Sequence, residues 1–159
     1  MGAMVKFAQD TKVPVERSRA EIEQLLVRYG ADQFASGWGP DMAKIMFRAH
    51  GRHIRFTLPM PNRNDRKLTH YKKRSGYEVE RSDGSKEEAY QQELRRRWRA
   101  LVLVVKAKLE AVSTGITTFE EEFMAHIVMP DGKTFAEHAL PAIEQVYQSG
   151  KMVPLLPGF

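Results

Sequence analysis

The 159-residue sequence contains no cysteine. That excludes a disulfide framework and every thiolate metal site, and it fits a reducing compartment. No apolar run approaches the roughly 20 residues that span a bilayer; the longest, Ala100–Val105, reads as core. The opening MGAMVKFAQD lacks the apolar h-region of a secretory signal, so the expectation is a cytoplasmic protein with no membrane partner. Its first four residues, MGAM, read as a cloning remnant and are set apart from the fold, which is expected to be a single α+β domain over residues 5–159. Also missing are a phosphate-binding glycine loop, a dinucleotide fingerprint, a nucleophile elbow and a kinase motif set. No helix-turn-helix or zinc-finger pattern is evident, which argues against sequence-specific duplex reading. No cofactor is expected.

What is present is positive charge in the centre of the chain. The net charge is +5, and it is unevenly spread. The stretch 63–74 holds six Lys/Arg against one acid, and 95–99 holds four Arg against none. The stretch 118–144 is acidic. A basic centre favours anionic partners.

The organising stretch is Ser85–Ser113. Tyr90, Leu94, Trp98, Leu101, Val105, Leu109 and Val112 recur every three or four residues, the stripe of one long helix. Leu101–Val105 is apolar all round, so cover on more than one side is expected. Before it, Pro14–Tyr29 reads as a helix with Ile22, Leu25, Leu26 and Tyr29 inward and Gly30 as its C-terminal cap. Gln33–Ser36, Met42–His50 and His53–Leu58 follow as strands. The last two alternate, with Ile45, Phe47, Ala49, Ile54, Phe56 and Leu58 on one face. Residues 62–84 read as a long basic loop with one short strand at Tyr77–Glu80. Two capping boxes, Thr118…Glu121 and Thr134…Glu137, start helices expected over Thr118–Val128 and Thr134–Gln148. The predicted architecture is α+β: a small three-stranded antiparallel sheet covered on one face by helices, including the long central one.

The candidate chemistry is charge rather than catalysis. The uncovered sheet face would carry Lys44, Arg48, His50, His53 and Arg55, with Arg52 at the adjoining turn. The basic loop adds Arg63, Arg66, Lys67, Tyr71, Lys72, Lys73 and Arg74. Lysine and arginine neutralise phosphates, and aromatic rings such as Tyr71, Tyr77 and Trp38 stack on exposed bases. The Arg95–Arg99 cluster either joins that surface or is neutralised by Glu87, Glu88 and Glu93. His50, His53 and His70 lack a carboxylate at metal-ligand spacing, so no metal site is assigned. Asp41, Asp65 and Asp83 lie in turns and make a weak case for a metal-dependent nuclease.

Val13-Pro14-Val15-Glu16-Arg17-Ser18-Arg19-Ala20-Glu21-Ile22-Glu23 with Leu25-Leu26 and Tyr29-Gly30-Ala31, taken with Phe123–Thr134 and Leu155-Leu156-Pro157-Gly158, resembles small proteins of bacteriophages and prophages. The resemblance implies a phage-encoded protein of the host cytoplasm and transfers no catalytic residue. The β-β-β-α order is similar, at fold level alone, to phage single-strand annealing proteins. The expectation is a non-enzymatic nucleic-acid-binding protein that grips single strands or backbone. The alternative is an interaction module or inhibitor acting on a host or phage protein, and a metal-dependent nuclease comes third. Self-association into a homo-oligomer is compatible with each.

Overall fold

The computed structural model describes residues 8–158. The tetrapeptide read as a cloning remnant lies outside them. The fold is α+β, with a three-stranded antiparallel sheet and a long helix that contacts both the sheet and the first helix. The helices are α1 (Val15–Arg28), α2 (Arg66–Thr69), α3 (Asp83–Ser113), α4 (Phe119–Phe123) and α5 (Phe135–Ser149). The strands are β1 (Gln33–Trp38), β2 (Met42–Ala49), β3 (Arg52–Pro59), β4 (His70–Lys72) and β5 (Glu78–Glu80). The sheet runs β1-β2-β3, and β4 and β5 form a separate two-stranded hairpin.

The chain divides into two compact units that share these elements. The first comprises the chain up to Leu25, Trp38–Ala43 and Thr57–Lys106. The second comprises Leu26–Gly37, Lys44–Phe56 and the chain from Ala107 onward.

In the first unit, Ile22 and Leu25 of α1 and Trp98, Leu101, Val102 and Val105 of α3 are buried. Arg99 of α3 pairs with Glu21 of α1, and Arg97 donates to the Pro59 carbonyl at the end of β3 at 2.6 Å. The all-round apolar run is covered less than expected: Leu103 and Val104 remain exposed. Only the residues at helical spacing are buried, so the stripe wins over the run.

Residues 62–84, expected as a loop, are ordered by short local elements. Asp65 caps α2 by accepting from the Lys67 N–H at 3.0 Å, and Leu68 of α2 is buried. The chain then enters the β4–β5 hairpin and returns when the Arg81 N–H donates to the Thr69 carbonyl at 2.7 Å. Ser82 Oγ accepts from the Ser85 N–H at 3.4 Å as α3 begins.

In the second unit, α1 ends in a Schellman arrangement. Gly30 has φ +95, its N–H reaches the Val27 carbonyl, and the Ala31 N–H reaches that of Leu26 at 2.9 Å. His50 and Gly51 both have positive φ, the two-residue turn that matches strand twist. The apolar sheet face buries Ile45, Phe47, Ala49, Ile54 and Phe56. Phe123 of α4 meets Phe47 and Phe56 edge-on at 5.9 and 6.2 Å between ring centres, and Phe119 stacks on Phe123 at 4.6 Å.

The helix expected over Thr118–Val128 is shorter. After α4 a 3-10 turn covers Met124–His126, and Ile127 and Val128 then lie extended. Ile127 bridges Ile54, and the Val128 N–H donates to the His53 carbonyl at 2.8 Å. Two β-branched residues just ahead of Met129-Pro130 leave the helix readily and satisfy edge groups of β3 instead. Both capping boxes form as read. Pro141 sits inside a continuous α5, which Gly150 ends in the left-handed conformation.

Candidate nucleic-acid interface

The predicted cations divide between the two units. In the first unit lie Arg63, Arg66, Lys67, Tyr71, Lys72, Lys73 and Arg74. The β4–β5 register pairs His70 with Glu80, Tyr71 with Val79 and Lys72 with Glu78. The Lys73 N–H donates to the Tyr77 carbonyl at 2.8 Å and the Gly76 N–H to the Lys73 carbonyl at 2.8 Å. Gly76 has φ +87, which makes the tip Lys73-Arg74-Ser75-Gly76 a turn followed by a glycine bulge. That short ladder fixes which side chains share a face, because directly opposed residues point the same way and the alternation has period two.

One face therefore carries Tyr71, Lys73, Tyr77 and Val79. The other carries His70, Lys72, Glu78 and Glu80. Both carboxylates of the hairpin sit on the second face and both are occupied. Arg66 holds Glu78 through bonds of 2.9 and 2.6 Å, and Lys86 holds Glu80 at 2.6 Å. The hydrogen bond from Arg66 holds the Glu78 carboxyl below the usual carboxylate range, and that from Lys86 does the same for Glu80.

The first face has no carboxylate. Tyr71 is 42% and Tyr77 76% exposed. The Arg81 guanidinium lies 5.5 Å from the centre of the Tyr71 ring, a cation–π contact that steadies it. Lys72, Lys73 and Arg74 are exposed and have no salt-bridge partner among the described residues. Lys67, on α2, is likewise exposed. Arg63 is different: it pairs with Glu87 and its guanidinium lies 3.8 Å from the Tyr90 ring centre, which makes it a tie to α3.

The Arg95–Arg99 cluster is also spent internally. Arg96 and Arg97 both pair with Glu93, at 2.5 and 3.0 Å, Arg95 donates to the Gln92 amide oxygen at 2.6 Å, and Arg99 holds Glu21.

In the second unit lie Lys44, Arg48, Arg52 and Arg55. Arg48 grips Asp32 with two parallel bonds, Nε to Oδ1 at 2.9 Å and Nη2 to Oδ2 at 2.5 Å. That hydrogen bond pushes the Asp32 carboxyl down. Arg55 donates to the Gly132 carbonyl at 2.8 Å and to Glu137 at 2.6 Å, with its side chain only 16% exposed. Lys44 and Arg52 are exposed. The outer sheet face also holds a cavity of about 400 Å3 lined by Phe34, Met46, His53, Arg55 and Val128. It is a mixed surface rather than a cationic plane, with two of its arginines committed to structure.

No family model, curated protein or solved structure matches this chain.

Other chemistries find less support. No group of three or more potential metal ligands occurs among the described residues. Of the turn aspartates, Asp65 serves as the α2 cap and Asp83 lies 3.6 Å from Lys86 in the first turn of α3. His50 stacks on Phe119 at 4.5 Å and His126 on Phe56 at 4.0 Å, and His138 bonds Asp131 at 2.7 Å. No helix among the described residues is long and apolar enough to cross a membrane.

Reading the residues alone missed β4 and Arg81. The signal was available: a Gly-containing turn between Tyr71-Lys72 and Tyr77–Glu80 is the pattern of a hairpin with a bulge.

Proposed function

We propose that this chain binds single-stranded nucleic acid through the tip and the carboxylate-free face of the β4–β5 hairpin, as a binding protein without a chemical step. The observation that carries the reading is the segregation of the hairpin: Tyr71, Lys73 and Tyr77 on one face, Glu78 and Glu80 on the other, held by Arg66 and Lys86. Exposed rings take bases by stacking, and the flanking ammonium and guanidinium groups at Lys73 and Arg74 take phosphates. Bases in a duplex are already stacked, so two exposed tyrosines favour a strand whose bases are free. Lys44 and Arg52 supply cations of the same kind in the second unit. The resemblance to bacteriophage and prophage proteins supports a phage-encoded protein acting in the host cytoplasm.

Fluorescence anisotropy with a labelled single strand, and with its duplex, tests this at low and moderate salt. The single strand is expected to bind more tightly than the duplex. Absence of binding below about 10 μM at low salt refutes the reading, because phosphate contacts are strongest there.

A different observation favours docking on a protein. Leu140, Ile143 and Tyr147 form an exposed stripe along α5 at helical spacing. A protein partner retained after nuclease treatment, and lost on Tyr147→Glu, would support that second reading.

A further inference from the structure

Within the first unit, a cavity of about 380 Å3 is lined by residues that include Asp10, Lys67, Arg81, Ser85, Glu88 and Arg95. Its donors are under-used. A guanidinium offers five N–H groups. Arg81 engages one of them, with Ser85 Oγ at 3.4 Å, which is long for such a bond. Arg95 directs Nε and Nη2 to the Gln92 amide oxygen at 3.1 and 2.6 Å, which leaves Nη1 over. Lys67, on α2, is exposed.

Arg96 and Glu93 also line the cavity, but they are paired with one another at 2.5 Å, and Glu93 answers Arg97 as well. Cations exceed carboxylates around the cavity even with Asp10 and Glu88 counted. The unspent donors come from three separate elements: α2, the β5–α3 junction and the second turn-pair of α3. Cationic side chains that line one cavity from three elements suit a group with three terminal oxygens, whereas a phosphodiester inside a strand offers two.

We infer that this cavity is a phosphomonoester site that takes the terminal phosphate of a nucleic-acid strand lying on the hairpin. The inference rests on the strand-binding reading, since Arg81 belongs to both: it steadies Tyr71 and lines the cavity. It adds a preference for strand ends that stacking and tip charge alone do not supply.

The test uses one labelled strand made with a 5′-phosphate, with a 3′-phosphate, or with hydroxyls at both ends. One phosphorylated form is expected to bind about tenfold or more tighter than the hydroxyl form, the size of one or two charge-assisted hydrogen bonds. Arg81→Gln and, independently, the exposed Lys67→Gln are expected to bring that ratio towards one. Equal affinity of the intact protein for all three strands overturns the inference while leaving strand binding in place. If no strand binds, calorimetry with a nucleoside monophosphate decides. Saturable binding that Lys67→Gln weakens keeps the site and refutes the strand-binding reading; no heat at millimolar nucleotide overturns both.

Discussion

Charge and stacking at the hairpin can be separated by their response to salt. Replacing Lys73 and Arg74 with glutamine removes two exposed cations that make no ion pair among the described residues. If each meets one phosphate, the slope of log K against log salt flattens by about 1.4, taking roughly 0.7 per phosphate on a single strand. Between 50 and 200 mM salt the unmodified protein then loses about 7-fold in affinity that the double variant does not lose. Tyr77→Ala acts otherwise. Removing one stacked base is worth about 1–3 kcal/mol, or about 5- to 150-fold, and releases no counterion. Its line should therefore be displaced downward and stay parallel. Both variants are exposed substitutions, so thermal stability should change by no more than about 0.5 kcal/mol. Anisotropy titrations at four or five salt concentrations give both slopes and offsets. An unchanged slope in the double variant would refute phosphate contact at the tip, and an unchanged offset for Tyr77→Ala would refute stacking.

Three further outcomes follow from the second unit. Phe123 is fully buried against Phe47, Phe56 and Phe119, so Phe123→Ala should cost about 3–5 kcal/mol, read as a lower urea midpoint; a loss under 1 kcal/mol would mean the site collapses freely. Burial, and then the Lys108 ammonium, hold the His126 imidazole below its ordinary value of 6.5. The unfolded chain therefore takes up the proton first as pH falls past that value, and stability declines from there until the folded state is protonated too. Thermal melts from pH 7.5 to 5 should show that decline, and His126→Phe should lessen it; parallel profiles would contradict the assignment. On α5, Leu140→Gln and Tyr147→Gln should change the unfolding free energy by no more than about 0.5 kcal/mol in urea titrations while lowering retention on a hydrophobic-interaction column.

The parts of the fold that were legible beforehand are those governed by local chemistry. The alternation of Met42–Leu58 buries six apolar side chains, Ala43, Ile45, Phe47, Ala49, Ile54 and Phe56, and the Thr118 and Thr134 boxes form as written. Gly30 ends α1 because only a residue tolerant of positive φ completes that cap. What was not legible depends on partners far away in the chain. Arg48 and Asp32 are 16 positions apart, Arg63 and Glu87 are 24 apart, and Arg55 and Glu137 are 82 apart. A count of cations along the sequence cannot tell these three committed arginines from Lys72, Lys73 and Arg74. The α2 turn and β4 are short, four and three residues, too few to show a period, so the segment read as a loop. Ile127 and Val128 lost their helix to edge pairing with β3, a tertiary effect.

The segregation of the hairpin depends on register, and register depends on Gly76. A slip by one residue in β5 would turn Glu78 and Glu80 onto the face of Tyr71 and Lys73, placing carboxylates on the face proposed to meet a strand's phosphates. The bulge conformation at Gly76, φ +87, holds the register in place, and a Cβ there would meet no atom within 4 Å. Substitution is therefore penalised by the backbone alone. A β-branched residue resists left-handed φ most strongly, and asparagine least. Gly76→Val should weaken strand binding although it removes no charge and no ring, and Gly76→Asn should largely retain it. Hydrogen exchange at the Lys73 amide, which bonds the Tyr77 carbonyl, should accelerate in the valine variant and not in the asparagine one. If Gly76→Val binds as the unmodified chain does while that amide is exposed, the two-faced hairpin is not what selects the ligand. Binding would then rest on tip charge irrespective of register.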